Sequence, residues 1–123
     1  MFTIIPAAEM TAQNIATLES NNKWEKIIEY NLLEFEPFKT MCQRTLLALI
    51  TDKIPAATRR NVKEFAYNAA ETLGSFNFPG WLDTSYYRPI IWKARYNWVV
   101  AQLGAYGYTF SPMTNDGSFK VFW

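Results

Sequence analysis

Apolar residues follow a helical spacing between residues 90 and 106. At about 100° per residue, they form two stripes on roughly opposite sides of the predicted helix. The first stripe comprises Trp92, Tyr96, Val99, Leu103 and Tyr106, and the second comprises Ile90, Ala94, Trp98, Ala101 and Ala105. A helix that is apolar on two sides is buried on two sides. The pattern fits either a central helix of one domain or a helix with one stripe facing another chain.

Pro89 is expected to begin this helix, and Gly104 or Gly107 to end it. The spacing then changes to alternation, which predicts a β-hairpin with strands at residues 108–111 and 119–122. An Asp-Gly turn at residues 115–117 separates the two strands. A two-stranded ribbon is marginal in water, so the apolar run at residues 2–5 is an optional third strand.

The preceding part of the chain carries predicted helices. Residues 7–18 fit a short helix, and residues 22–35 fit an amphipathic helix with Asn22 and Glu25 as a capping box. Pro37 ends that helix and suits the first turn of the next one, which extends to Leu49.

A fourth helix is expected to start at Pro55 or Thr58 and to end at Gly74. Its predicted core face comprises Val62, Phe65, Ala66, Ala69 and Leu73. The fold class is therefore α+β and mainly α. It has four to five helices and a small antiparallel sheet, formed by the C-terminal hairpin and optionally the N-terminal strand. A length of 123 residues fits one domain, 1–123, with its own core.

Residues 75–88 are irregular and rich in aromatic side chains, which a disordered linker would not carry. These rings either cover the core or contact another protein chain, where Tyr and Trp are enriched. The predicted protein interface comprises Phe76, Phe78, Trp81, Tyr86, Tyr87, Trp92 and Tyr96. Aromatic residues make up 17% of the chain, a high share that fits either a filled core or an interface.

Charge is distributed unevenly along a chain whose net charge is only +1. Residues 1–37 hold six acids and two bases, which gives −4, and residues 38–123 hold five acids and ten bases, which gives +5. The two parts are expected to attract each other, within one chain or between copies. The small net charge gives no global attraction to nucleic acid or to an anionic membrane.

Catalytic and metal-binding signatures are missing from the sequence. The chain has no histidine and a single cysteine, Cys42, so neither an ordinary zinc site nor a disulfide within the chain is expected. Cys42 falls on an apolar helical face and fits a small core residue better than a nucleophile. We therefore expect no enzyme activity and no cofactor. With no apolar run of membrane-spanning length, we also expect no membrane partner.

Four basic residues surround the predicted start of the fourth helix: Lys53, Arg59, Arg60 and Lys63. A solvated face is the ordinary interpretation, and contact with an anion is the alternative. Positive charge at a helix N-terminus opposes the macrodipole, which slightly favours an anionic partner such as the acidic segment of a neighbouring copy. Nucleic acid is not expected to be the partner.

The two ends of the chain resemble a group of known proteins. An apolar run enters an Ala/Glu helix at residues 3–9, and the end has Leu103, the step Gly107-Tyr108, a polar turn and a final strand ending in Trp123. This arrangement resembles small proteins of tailed bacteriophages, over roughly the first fifteen and last thirty residues.

The resemblance implies a non-enzymatic virion structural or assembly protein that acts through contacts with other protein chains. Its expected location is the virion, and the host cytoplasm during assembly. The alternative is a small phage protein that binds and inhibits a host enzyme or defence factor. The resemblance carries no catalytic residues to this chain.

Overall fold

The computed structural model describes residues 4–68 and 84–123, without the side chains of residues 84–87. The fold is α+β and mainly α, as predicted, with a three-stranded antiparallel sheet. The elements in order are a 3₁₀ turn (Ala7–Glu9), α1 (Ala12–Ser20), α2 (Lys23–Leu33), α3 (Glu36–Ala48), a π-helix (Leu49–Lys53), α4 (Ile54–Arg59), β1 (Glu64–Tyr67), α5 (Thr84–Gly104), β2 (Thr109–Phe110) and β3 (Phe119–Phe122).

The first two helices begin differently from each other. Thr11 caps α1, because its hydroxyl oxygen accepts a hydrogen bond from the Asn14 N–H at 3.2 Å. The capping box predicted from Asn22 and Glu25 is wrong. Asn22 has a left-handed backbone with φ of 58°, and its side chain makes no capping hydrogen bond. The short connection between α1 and α2 requires that left-handed residue, which asparagine tolerates better than most.

Helix α3 has Pro37 in its first turn, as predicted. The connection expected between the helix ending at Leu49 and the one starting at Pro55 or Thr58 is instead a π-helix that joins α3 to α4. Its hydrogen bond spans five residues, from the Ile54 N–H to the Leu49 carbonyl. Pro55 explains the change, because its ring crowds the carbonyl four residues earlier in a regular α-helix. A wider turn just before the proline relieves that clash.

The fourth helix is shorter than predicted, and this is the main correction. It ends at Arg59, and Asn61 follows with φ of 58°, a left-handed stop. Residues 64–67 then form β1, with the larger side chains of Phe65 and Tyr67 turned inward. The predicted core positions Ala69 and Leu73 lie outside the described residues.

Strand β3 lies at the centre of the sheet, between β1 and β2. It pairs antiparallel with both, and Val121 lies opposite Phe65 on one side and Phe110 on the other. The predicted alternation holds, because Phe119 and Val121 are buried while Lys120 is exposed. The third strand is therefore β1 and not the N-terminal run, whose described residues Ile4 and Ile5 lie outside any strand.

The hairpin turn has the predicted Asp-Gly chemistry. Gly117 has φ of 82°, and the Asp116 carboxylate accepts hydrogen bonds from the Thr114 hydroxyl and from the Ser118 N–H. These hydrogen bonds, the one from Thr114 first, hold the pKa of the Asp116 carboxyl below its usual value. The carboxylate is thus occupied in closing the turn.

Helix α5 is longer at its start than predicted, because it begins at Thr84 and contains Pro89 within it. Proline loses one backbone hydrogen bond there, but its fixed φ is compatible with the helix. The fully buried positions form a single stripe rather than two: Ile91, Ala94, Arg95, Val99 and Leu103. Ala101 and Ala105 of the second predicted stripe are exposed.

Two hydrophobic clusters meet along α5. The helical cluster is centred on Ile28, Leu32, Phe38, Met41, Cys42, Ile91 and Ala94. The sheet cluster is centred on Leu49, Ile54, Tyr67, Val99, Leu103, Phe119 and Val121. Trp98 packs against both clusters and is partly buried, where full burial is expected from its alanine-rich stripe. Trp98 therefore lies where the two clusters meet and not at the centre of either one.

Candidate functional site: an apolar groove beside the π-helix

An apolar groove opens where the π-helix faces the end of α5. It encloses about 490 Å³ and is lined by Leu46, Ile50, Gln102, Leu103, Tyr106 and Tyr108. Leu103 is buried and belongs to the sheet cluster, so the groove reaches down to the core. Gln102 is its one amide side chain, and the other lining residues are aliphatic or phenolic. Such a lining suits apolar side chains of a partner.

Three large apolar side chains stand in solvent on the elements that form the groove. Leu47 is 56% exposed, Ile50 is 44% exposed and Tyr106 is 82% exposed. Single exposed apolar residues are ordinary on a protein surface. A group of them around a concave apolar lining is a feature of interaction sites.

The π-helix determines where Ile50 points. Leu49, the first residue of the π-helix, and Ile54, the residue that follows the π-helix, are both buried in the sheet cluster. The wider π turn between these two anchors places Ile50 on the outer side. Single π turns within α-helices occur frequently at functional sites. Pro55, which accounts for the π turn, therefore also accounts for one wall of the groove.

The opposite wall depends on how α5 ends. The helix stops at Gly104, and Gly107 follows with φ of 92°. The Tyr106 N–H donates to the Leu103 carbonyl at 2.9 Å, which holds this turn against the helix end. Tyr106 was predicted to continue the buried stripe of α5. That expectation is wrong because the chain leaves the helical direction two residues before Tyr106.

A buried polar group connects the two clusters, because Cys42 belongs to the helical cluster and Tyr67 to the sheet cluster. Arg95 and Cys42 are both 0% exposed, and the guanidinium carbon of Arg95 lies 5.2 Å from the centre of the Tyr67 ring. The Tyr67 hydroxyl is 3.4 Å from the Thr45 Oγ1, which donates to the Met41 carbonyl. A lone arginine on a helix is ordinarily solvated, so the sequence does not predict the burial of Arg95.

Burial dominates the ionisation of this group. It raises the pKa of the Cys42 thiol to about 12, and the nearby Arg95 charge opposes that rise only in part. Burial lowers the pKa of Arg95, against the opposing effects of Tyr67 and Cys42. Cys42 therefore stays a neutral thiol near neutral pH, where only a thiolate is an effective nucleophile. The group fits a role in packing, as the sequence predicts for Cys42.

The predicted interface residues fall into three sets. Phe76, Phe78 and Trp81 lie outside the described residues. Tyr86 and Tyr87 lie in the first turns of α5, where side chains are not described. Trp92 is partly buried, with the Arg88 guanidinium 5.8 Å from its ring centre. The interface role of these residues stays a prediction.

Tyr96, the last predicted interface residue, is engaged within the chain. Its hydroxyl donates to the Ser111 carbonyl at 2.8 Å, and its ring makes edge contacts with Phe110 and Phe119. The groove residues Ile50 and Tyr106 were not among the predicted interface residues. The sequence signal that could have identified Ile50 is its position one residue after the apolar stripe that ends at Leu49, five residues before Pro55.

Three of the four basic residues, Arg59, Arg60 and Lys63, lie at or beyond the end of α4, whereas Lys53 is its N-terminal cap. Arg59 is in the last turn and Arg60 is the C-terminal cap. Positive charge at that end stabilises the helix dipole, so the argument from a misplaced charge is wrong for Arg59 and Arg60. Lys53 pairs with Asp52 at 3.5 Å and lies 5.9 Å from the centre of the Phe65 ring. Lys63 is exposed, and an anion contact at this end stays a prediction.

Comparisons with protein-family models, with curated proteins and with solved structures find no match for this chain. Among the described residues, no helix has the length and apolar character needed to cross a membrane. The same residues contain no cluster of three or more acidic or cysteine side chains placed to hold a metal ion. Interpretation of the groove therefore rests on its own geometry.

Proposed function

We propose that this chain is a non-enzymatic bacteriophage virion structural or assembly protein that works through contacts with other protein chains. The observation that carries the proposal is the apolar groove, with Ile50 and Tyr106 exposed on its two walls. Tyrosine ranks among the residues that contribute most to protein interfaces, where it supplies a large contact area and a hydrogen-bonding hydroxyl. The aromatic residues 76–87 supply further contact area in this proposal.

The groove offers binding and no chemistry, which supports a non-enzymatic role. Its lining has no carboxylate, thiol or amine, and its polar atoms belong to an amide and two phenols. Its walls stand on rigid elements, because Leu103 and Leu49 anchor them in the sheet cluster. A preformed apolar surface on a rigid scaffold loses little conformational freedom on binding.

The test introduces Tyr106→Ser together with Ile50→Ser into the phage gene and analyses purified particles by mass spectrometry. We expect peptides of the wild-type chain in the particles and a loss of at least tenfold for the groove variant. The matched control is Tyr30→Ser on α2, because Tyr30 is 46% exposed and away from the groove lining. Equal melting temperatures of the three purified proteins would show that folding is unaffected.

Particles that never contain the wild-type chain would refute the virion role. Wild-type chain that is instead recovered in a stable complex with one host enzyme would favour the inhibitor alternative. Groove variants that enter particles as efficiently as the Tyr30→Ser control would refute the assignment of the groove as the contact surface.

A further inference from the structure

We propose that copies of this chain associate head to tail, with the N-terminal arm of one copy in the apolar groove of the next. The N-terminal arm is defined here as residues 4–20, which comprise the 3₁₀ turn and α1. The inference deepens the proposed function, since it names a second copy of the chain as the groove's partner.

The arm is poorly buried in its own chain. Neither Ala7–Glu9 nor α1 has a buried residue, and Ile4 and Met10 are 83% and 51% exposed. A cleft of about 220 Å³ remains between the arm and α2, lined by Ile5, Glu9, Asn14, Thr17, Leu18 and Ile27. The arm is folded, with Thr11 capping α1, but most of its apolar surface is not covered.

The exposed side chains of the arm match the groove in chemistry. Ile4 has a branched aliphatic side chain and Met10 has an unbranched thioether side chain. Both are small enough to fit an apolar groove of about 490 Å³. Removing them from water supplies the driving force, because hydrophobic association scales with the apolar area that is buried. Met is also well suited to irregular apolar pockets, owing to its flexible thioether side chain.

Charge complementarity favours the same pairing. The arm contains two acids, Glu9 and Glu19, and no base, so its net charge is −2. Residues 38–123, which include every residue of the groove, carry +5. Exposed bases of this part of the chain include Arg44 on α3 and Arg59 in the last turn of α4. Opposite fields of this kind steer two copies into one orientation.

The separate positions of the arm and the groove in one chain mean that the proposed contact forms between two copies. The arm packs on α2, and α2 contacts α5 near Lys93, whose ammonium is 3.8 Å from the Glu25 carboxylate. Gln102 and Tyr106 of the groove lie nine and thirteen residues further along the chain. At 1.5 Å per residue, Gln102 lies about 14 Å further along the helix, and Tyr106 follows beyond the helix end at Gly104. Arm and groove are therefore separate surfaces of the chain, and their pairing between copies is heterologous, which gives rings or filaments.

A complementation experiment tests this inference on the purified full chain by sedimentation. The groove variant carries Ile50→Glu and Tyr106→Ser, and the arm variant carries Ile4→Ser and Met10→Glu. All four positions are exposed, so both variants are expected to keep the wild-type melting temperature. We expect the wild type to form larger species as concentration rises, and each variant alone to lose at least tenfold in association constant.

Mixing the two variants gives the decisive measurement. The groove variant still has an intact arm, and the arm variant still has an intact groove, so the mixture should form dimers and stop there. Tyr30→Ser should associate like the wild type. A tenfold rise in salt should weaken wild-type association, because the charges involved are exposed.

A mixture that stays monomeric while the wild type associates would overturn the arm-in-groove contact. A wild-type chain that stays monomeric at high concentration would also overturn it. If that monomeric chain is nevertheless found in particles and the groove variant is not, the proposed function stands and only the identity of the partner is refuted.

Discussion

The buried thiol of Cys42 makes the stability of this protein depend on pH in a predictable way. Its pKa is about 12 in the folded chain, against 9.0 for an ordinary thiol. The unfolded chain therefore loses the thiol proton first as the pH rises. The contribution of this thiol to the free energy of unfolding is fully present below about pH 9, and it is lost as the pH rises toward about 12.

The size of the stability loss follows from the pH range in which only the unfolded chain has released the thiol proton. A proton that only the unfolded state releases lowers the free energy of unfolding by about 1.4 kcal/mol per pH unit. Between about pH 8 and about pH 10, the loss attributable to Cys42 is therefore about 1.3 kcal/mol. The Arg95 charge acts in the opposite direction and is already included in the net shift.

Urea unfolding at these two pH values, followed by tryptophan fluorescence under reducing conditions, provides the assay. The control is Cys42→Ala, which removes the thiol and should cost about 1 kcal/mol at the lower pH through lost packing. Tyrosine and lysine titrations affect both proteins alike, so the comparison isolates the thiol. The wild-type advantage of about 1 kcal/mol at the lower pH should change by about 1.3 kcal/mol, so that Cys42→Ala becomes slightly the more stable protein at the higher pH.

An advantage that stays constant across the two pH values would refute the reasoning. It would mean that the thiol ionises equally in the folded and unfolded chains, and hence that water reaches Cys42. Fast reaction of the native protein with a thiol reagent would lead to the same conclusion independently.

Four further substitutions test the packing and the turn after α5, each by urea unfolding at neutral pH. Tyr96→Phe should cost about 1 kcal/mol, because it removes the hydrogen bond to the Ser111 carbonyl and keeps the ring contacts; no loss would show that the bond is absent in solution. Gly107→Ala should lower the free energy of unfolding by about 1–2 kcal/mol, because φ at this position is 92°. Gly104→Ala should raise it by up to about 1 kcal/mol, because this position is helical and has open space around it. Equal effects of the two substitutions would contradict the turn geometry. Trp98→Ala should cost about 2–3 kcal/mol, below the range for fully buried tryptophan, and a loss under about 1 kcal/mol would show that the two clusters are not joined there.

Local patterns were sufficient to predict the hairpin and most helices. Phe119 and Val121 alternate with Lys120, and the Asp-Gly turn closes within a few residues, so every determinant of the hairpin lies close together in sequence. The start of α3 at Pro37 is equally local. These features depend on backbone chemistry and side-chain periodicity, which a single sequence contains.

Strand β1 could not be predicted in the same way, because its partner is distant in sequence. Phe65 pairs with Val121 across 56 positions, and four residues are too few for alternation to outweigh a helical spacing. The apolar groove escaped prediction for a related reason. Tyr106 was predicted to lie on a buried stripe and the helix end turns it outward, while Ile50 lay just beyond the predicted end of the third helix.

The same two irregularities connect the fold to its proposed role. A regular α-helix through Pro55 would remove the π turn, and a helix continuing past Gly107 would place Tyr106 on the buried stripe of α5. Both irregularities leave the clusters intact, since Leu49 and Leu103 are buried beside them. The apolar side chains that they expose are therefore not needed to complete the core. Exposed apolar groups of this kind promote association. The proposed contact with another chain therefore depends on the two irregularities that leave Ile50 and Tyr106 exposed.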